Sequence, residues 1–326
     1  MASIKHAIKN LATSSFDKKQ AALVQRIIGS TSIALLDVGA AHGAYDRWST
    51  FKKYIDYFAV EPDSRSAASV FQSKNAAEYK SETLITKALW HSEGEITLNL
   101  CRKPMASSIY EPNRQFIDLF LEPERNDVVD RIKLPCETVD RVGLQMNTSF
   151  DVIKLDVQGA ELDVLRGATT TLQKVLAIDI EVEFCEIIKK QPLFDEIFSF
   201  LRKHNLEFID FSYIYRWSPD SYNGLGQATF SDALFMQSPE RIGASNDIES
   251  VRKYATICAI YERGDLLLRL SGACASINKE LSVLCEDLTS LGNLLSARNA
   301  RTQRQLDRVT KIIRLFHPRV RAHILH

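Results

Sequence analysis

The 326-residue chain has no net charge: 41 Lys and Arg balance 41 Asp and Glu. That balance argues against binding nucleic acid along the whole chain, so no nucleic-acid partner is expected. No run of 18 apolar residues occurs, which excludes a spanning helix of ordinary length. Lys5 and Lys9 interrupt the N-terminus before an apolar core can form, so no secretory signal is expected. The six cysteines are scattered, at 101, 136, 185, 258, 274 and 285, without a CxxC pair. Neither a zinc site, nor any other metal site, nor a disulfide framework is expected, and reduced thiols fit a cytoplasmic protein. The glycine spacing GxGxxG of dinucleotide-binding turns is also missing.

What remains is ordinary globular material, 45% hydrophobic and 25% charged. Ile4, Ala7, Ile8 and Leu11 recur at helical spacing, as do Ala21, Val24, Ile27 and Ile28 within a second stretch from Asp17 to Ile28. Short apolar runs then follow at 33–38, 57–60, 82–86, 150–156 and 175–182, too apolar to alternate, as in strands buried on both faces. Helical patterns separate them at 63–72, 160–172 and 193–204. Strands alternating with helices predict an α/β fold with a mostly parallel sheet. Runs at 208–214 and 233–237 predict a terminal antiparallel pair around a polar loop with Asn223, Gly224 and Gly226. Residues 101–135 hold four of the nine prolines and are too long for a plain connection, which marks a functional segment or lid.

Chemistry concentrates at two places. The first is Asp37-Val38-Gly39-Ala40-Ala41-His42-Gly43, a strand running into a turn with glycines four apart. Glu61 ends the next strand, where a carboxylate can accept from the two hydroxyls of a ribose. Together they point to a nucleoside cofactor. The acid Asp37 before the turn suits a cationic amino-acid cofactor better than a pyrophosphate, and D-x-G-x-x-x-G followed by an acid is the usual opening of Rossmann-like S-adenosylmethionine-dependent methyltransferases. The second place is Asp156-Val157-Gln158-Gly159-Ala160-Glu161, which ends a central strand and begins a helix.

The segment from Asp151 to Ala168 resembles the IKxDxEGxExxVLxGA hallmark of FkbM-family methyltransferases. Asp37 to Gly43 resembles that family's DVGANxG, Phe58 to Pro62 its FxxEP, and Ser107 to Asn113 its SSxxEPN turn. Ala88-Leu89-Trp90 with Gly94 to Leu98 looks like a family hairpin. Glu181 to Phe184, Gln191 to Phe194 and Asp232 to Phe235 fit its later blocks. The resemblance spans about residues 30–237. It implies a class I Rossmann-like sheet, S-adenosyl-L-methionine as cofactor, and O-methylation of a hydroxyl on a sugar, glycan or secondary metabolite. Ala41 replaces the family's Asn and Gln158 replaces its Glu, and these departures motivate an alternative reading as a scaffold that has lost turnover. A nicotinamide-dependent oxidoreductase fits the strand–turn–acid geometry but not the glycine spacing.

Asp37, Gly39, Ala41, Gly43, Glu61 and Asp156 are therefore the candidate cofactor-binding residues. Asp156, Glu161 and His42 are the candidate catalytic residues, with Asp156 as base or orienter of the acceptor and Glu161 in support. Lys154 would neutralise Asp156 or face the substrate. Asp179 and Glu181 lie within reach of the acceptor, and Trp90 and Trp217 are core residues or sugar platforms.

The expected domains are residues 1–240, a methyltransferase domain with N-terminal helices, and 241–326, a helical extension. In the extension Leu270, Cys274, Ile277, Leu281, Leu284, Leu288, Leu291 and Leu295 form a heptad seam, suited to a coiled coil, a homodimer, or packing on the chain itself. Gly272 and Gly292 weaken it by about 1 kcal/mol each. From Ser296 the chain carries eight basic residues and one acid, Asp307, with Val309, Ile312, Ile313 and Phe316 as an apolar face. Such a tail suits an anionic membrane surface or an acidic, glycan-assembly partner.

Overall fold

The computed structural model describes residues 14–41, 43–67, 79–120, 122–219, 222, 224–274 and 279–316. The chain forms two compact units, Ile33–Gln237 and a helical unit of Met1–Ser32 with Ser238–His326. The chain passes from one unit to the other between Gln237 and Ser238. The N-terminal residues, however, group with the C-terminal helices and not with the sheet. Their partners come from tertiary packing, which a one-dimensional pattern does not contain.

In the helical unit, α1 (Ser14–Ile28) buries Val24, Ile27 and Ile28 as its periodicity predicts. Ala21 is exposed instead; Gln20 is buried, donating to the Ala259 carbonyl at 3.2 Å and accepting from Arg298. The expected helix around Ile4 to Leu11 lies outside the described residues.

In the sheet unit, seven strands run in the order β3-β2-β1-β7-β8-β10-β9. They are β1 (Ile33–Val38), β2 (Ile55–Val60), β3 (Ser81–Ile85), β7 (Val152–Leu155), β8 (Ala177–Glu183), β9 (Leu206–Trp217) and β10 (Gln227–Gln237). β1, β2, β3, β7 and β8 are mutually parallel, and β10 is antiparallel to both β8 and β9. This is the expected Rossmann-like arrangement with its terminal antiparallel pair.

One face of the central strands carries Leu36, Val38, Ile153, Leu155, Ile178, Ile180 and Val182 into a single apolar core. α2 (Val139–Gln145), α3 (Glu161–Arg166) and α4 (Phe194–Lys203) contribute Val139, Val142, Leu162, Leu165, Ile197 and Leu201 to it. α3 stops well short of the expected Leu172. A Cβ at Gly167 would lie 2.2 Å from the Trp90 carbonyl, so glycine there admits the neighbouring chain.

A second sheet, ordered β4-β6-β5, consists of β4 (Ala88–Leu89), β5 (Gly94–Cys101) and β6 (Val128–Glu137). This corrects the expected hairpin between residues 88–90 and 94–98. β6 lies between its two arms, parallel to β4 and antiparallel to β5. The segment expected as functional or a lid holds short helices and most of β6, and Lys103, Met105, Ser107, Ile109 and Arg125 from it line the cavity described below.

The helical unit continues with α5 (Pro239–Ala244), α6 (Ile248–Ile260), α7 (Gly264–Cys274) and α8 (Lys279–Phe316). α7 and α8 pack as an antiparallel hairpin: Ser271 meets Cys285 and Thr289, while Gly264 meets Gly292. A Cβ on Gly292 would fall 2.9 Å from Leu268, so this glycine marks a close helix crossing. Leu281, Leu288, Leu291 and Leu295 are buried inside the unit. The heptad seam is thereby divided between two helices of one chain. Ile277 and the side chains of the tail's apolar face lie outside the described residues. No helix among the described residues is long and apolar enough to cross a membrane.

Candidate active site

β1 and β7 are neighbours whose onward connections diverge, which opens a crevice at their carboxyl ends. A cavity of about 670 Å³ occupies it, within the usual range for small-molecule sites. Gly39, Ala41 and Gly43 line one part, with Glu61 beside them. Gly39 has φ +83°, and a Cβ there would lie 1.9 Å from the Asp156 carbonyl. Only glycine lets the first turn lie against the loop after β7. His42 lies outside the described residues.

Glu61 is buried at the end of β2; its Oε1 accepts from the Asp63 N–H at 2.8 Å. Burial pushes its pKa up to about 7. Asp37, by contrast, does not line the cavity. It accepts from the Tyr57 hydroxyl at 2.7 Å, and its Oδ1 faces the Lys154 ammonium at 3.3 Å. Asp37, expected to bind the cofactor, is instead turned to Tyr57 and Lys154 and braces the strand it stands on.

Lys154 lines the cavity and is at the same time paired with acids, so neither of its two expected roles displaces the other. Its register partners are Asp37 on β1 and Asp179 on β8, which makes a charged row across the buried sheet. Its ammonium also stands 3.5 Å from Asp156 Oδ2 and above the Tyr45 ring. Burial favours the neutral amine, but Asp37 and Asp156 outweigh it and raise the pKa above the usual lysine range. Arg47 pairs with Asp179 at 3.3 Å, closing the row.

Asp156 lines the cavity as expected. Gln158 follows it in the left-handed region, with φ +57°. Its side-chain amide donates to Asp156 Oδ1 at 3.0 Å and to Glu181 Oε1 at 2.8 Å. The Gln in place of the family's Glu thus holds two carboxylates together where a third would repel both.

Glu161 is fully buried and does not line the cavity. It accepts from the N–H groups of Val157 and Gly159, at 2.8 and 2.9 Å, and so clamps the loop that carries Gln158. Burial pushes its pKa up to about 7. Its geometry is that of a support and not of a group that meets substrate.

The serine turn closes the site from the second sheet. Ser108 donates to the Gln158 carbonyl at 2.7 Å, and Asn113 donates to the Glu186 carbonyl at 2.7 Å. Trp217 and Phe230 line the cavity, and Tyr215 stacks on Phe230 with ring centroids 4.4 Å apart. Trp217 also carries Arg125 over its ring. Sequence reasoning gave no weight to Glu183 or Asp232. The alternation of acids at 179, 181 and 183 on one strand was the available signal, because it places all three on one face.

A family model described as the methyltransferase FkbM domain matches residues 37–208. No curated protein sequence matches the chain. Similar solved structures include magnesium protoporphyrin IX methyltransferase from Synechocystis PCC 6803 with bound S-adenosylmethionine, 10% identical, covering 69% of this chain and 78% of that one with a TM-score of 0.35. N-methyltransferase NodS from Bradyrhizobium japonicum WM9 is 9% identical, with 70% and 99% covered and a TM-score of 0.30. An rRNA methylase from Streptococcus thermophilus is 9% identical, with 69% and 98% covered and a TM-score of 0.32. The family match, which spans more than half of the chain, carries the assignment.

Proposed function

The chain belongs to the FkbM methyltransferase family, and from that premise we propose that it methylates a hydroxyl of a sugar, glycan or secondary metabolite. S-adenosylmethionine is the methyl donor of this enzyme class, and the cavity fits it: a glycine turn without side-chain bulk adjoins a buried carboxylate at the end of β2. Glu61 would hold the ribose hydroxyls, and the backbone of the turn from Gly39 to Gly43 would hold the amino-acid end. Bound there, the donor supplies an electrophilic methyl carbon.

The chain's own contribution is positioning, which can be worth roughly 7–11 kcal/mol of barrier. The observation that supports a hydroxyl acceptor is the pairing of carboxylates Asp156 and Glu181 in a cavity that Tyr215, Trp217 and Phe230 also line. Carboxylates accept from hydroxyls, and flat rings cover the apolar faces of a sugar ring. We assign Asp156 to orienting the acceptor.

The test is transfer of an isotopically labelled methyl group from S-adenosylmethionine to a panel of sugars, hydroxylated metabolites, amines and RNA. Label in a methyl ether supports the reading. Label on nitrogen or in RNA contradicts it.

A further inference from the structure

Asp156 and Glu181 share one amide donor but are held differently. Both oxygens of Asp156 are engaged, Oδ1 by Gln158 and Oδ2 by the Lys154 ammonium. Glu181 takes the Gln158 amide on Oε1 and forms no ion pair among the described residues. Both line the cavity, and so does Glu183, two residues further along β8 on the same face. Glu183 is 3% exposed, and its Oε2 has no hydrogen-bond partner among the described residues. An unpartnered carboxyl oxygen in so buried a place is costly unless a ligand completes it. Asp232 stands opposite Glu181 in the β8–β10 register, with the Tyr45 hydroxyl 3.4 Å from it.

Burial, then the charges of Asp156 and Glu183, raise the proton affinity of Glu181 well above the usual carboxylate range. A base is most effective when its proton affinity approaches the working pH and a neighbour fixes its orientation. Gln158 supplies the second condition, and the Glu181 shift runs in the direction the first requires. Asp156 is tied at both oxygens, which leaves Glu181 the freer of the two to meet an acceptor.

We propose that Glu181 is the catalytic residue that takes the acceptor's proton, and that Gln158 is the positioning residue that aims it. The inference rests on the hydroxyl-acceptor reading above. The acceptor oxygen bonds to the methyl carbon as the carbon–sulfur bond breaks. That bond's electron pair stays on sulfur, and the hydroxyl proton passes to Glu181. A glutamate at position 158 has at most one proton to donate and could not make both contacts, whereas the amide donates two.

The experiment titrates the full-length protein by calorimetry with S-adenosylhomocysteine and with sinefungin, whose ammonium stands where the reactive sulfur carries its methyl group. A carboxylate facing that point favours sinefungin by roughly ten- to a hundredfold, the span of a hydrogen bond to a charged group. Wild type is expected to show that preference. Glu181→Gln is expected to bind S-adenosylhomocysteine as wild type does and to lose the preference. Gln158→Leu should reduce the preference with the S-adenosylhomocysteine affinity unchanged, and Asp156→Asn should keep it. A preference that is absent in wild type, survives Glu181→Gln, or is lost only in Asp156→Asn overturns the proposal. If wild type binds neither compound, the donor reading falls, and this inference falls with it.

Discussion

The Lys154 ammonium stands 3.3 Å from the Asp37 carboxylate, across the ladder between β1 and β7, with both side chains buried in the sheet. The acid that precedes the glycine turn is therefore bound to the strand that ends in Asp156. A buried pair of this kind is costly to break from one side, because the remaining charge loses its partner.

Lys154→Met should destabilise the protein by about 3–5 kcal/mol, the usual effect of stranding a buried charge. Urea denaturation measures it. Asp37→Asn added to Lys154→Met should recover part of the loss, because the more deeply buried of the two stranded carboxylates is then removed.

Gly39→Ala should impair both folding and donor binding. The added Cβ meets the Asp156 carbonyl, and φ +83° is strained for any L side chain. About 1–3 kcal/mol of backbone strain is expected, read as a lower denaturation midpoint. An unchanged midpoint would show that the turn relaxes freely.

Glu161→Gln keeps the shape of the side chain but turns one accepting oxygen into a donor facing an N–H. The loop from Val157 to Gly159 then loses a partner, at a cost of about 1–3 kcal/mol. The wild-type carboxyl also has a pH signature. Its pKa is raised to about 7, so its contribution to stability is complete below about 4.5 and is lost as pH rises through about 7. Glu161→Gln should flatten that part of the stability profile.

Glu61 has the same sign in the free protein, with a pKa near 7 caused by burial. A ribose is held better by the carboxylate than by the neutral acid, so affinity for S-adenosylhomocysteine should rise between pH 6 and pH 8. Calorimetry at the two pH values checks this, and Glu61→Gln should remove the difference.

The parts of the fold that were legible are those where physics acts over a few residues. β1, β7 and β8 are buried on both faces, so they appear as short runs in which apolar residues predominate. The turn after β1 and the acid at Glu61 follow from strand ends that must meet at one crevice. β6 was not legible, because it is largely exposed, carries Asp130, Arg131 and Lys133, and includes Pro135. Lys154 was open between two roles because its partners depend on register, which no single strand contains. Glu161 could be placed at a helix start, but its grip on Val157 and Gly159 depends on a backbone that doubles back. The grouping of α1 with the C-terminal helices needs contacts across more than 200 residues, such as Gln20 with Ala259.

The most direct test is calorimetric titration of the wild-type protein with S-adenosylmethionine, and separately with NADH, beside Glu61→Ala. The account predicts saturable binding of S-adenosylmethionine, at least tenfold weaker in Glu61→Ala, and no comparable binding of NADH. Absence of S-adenosylmethionine binding, binding indifferent to Glu61, or a preference for NADH would contradict it.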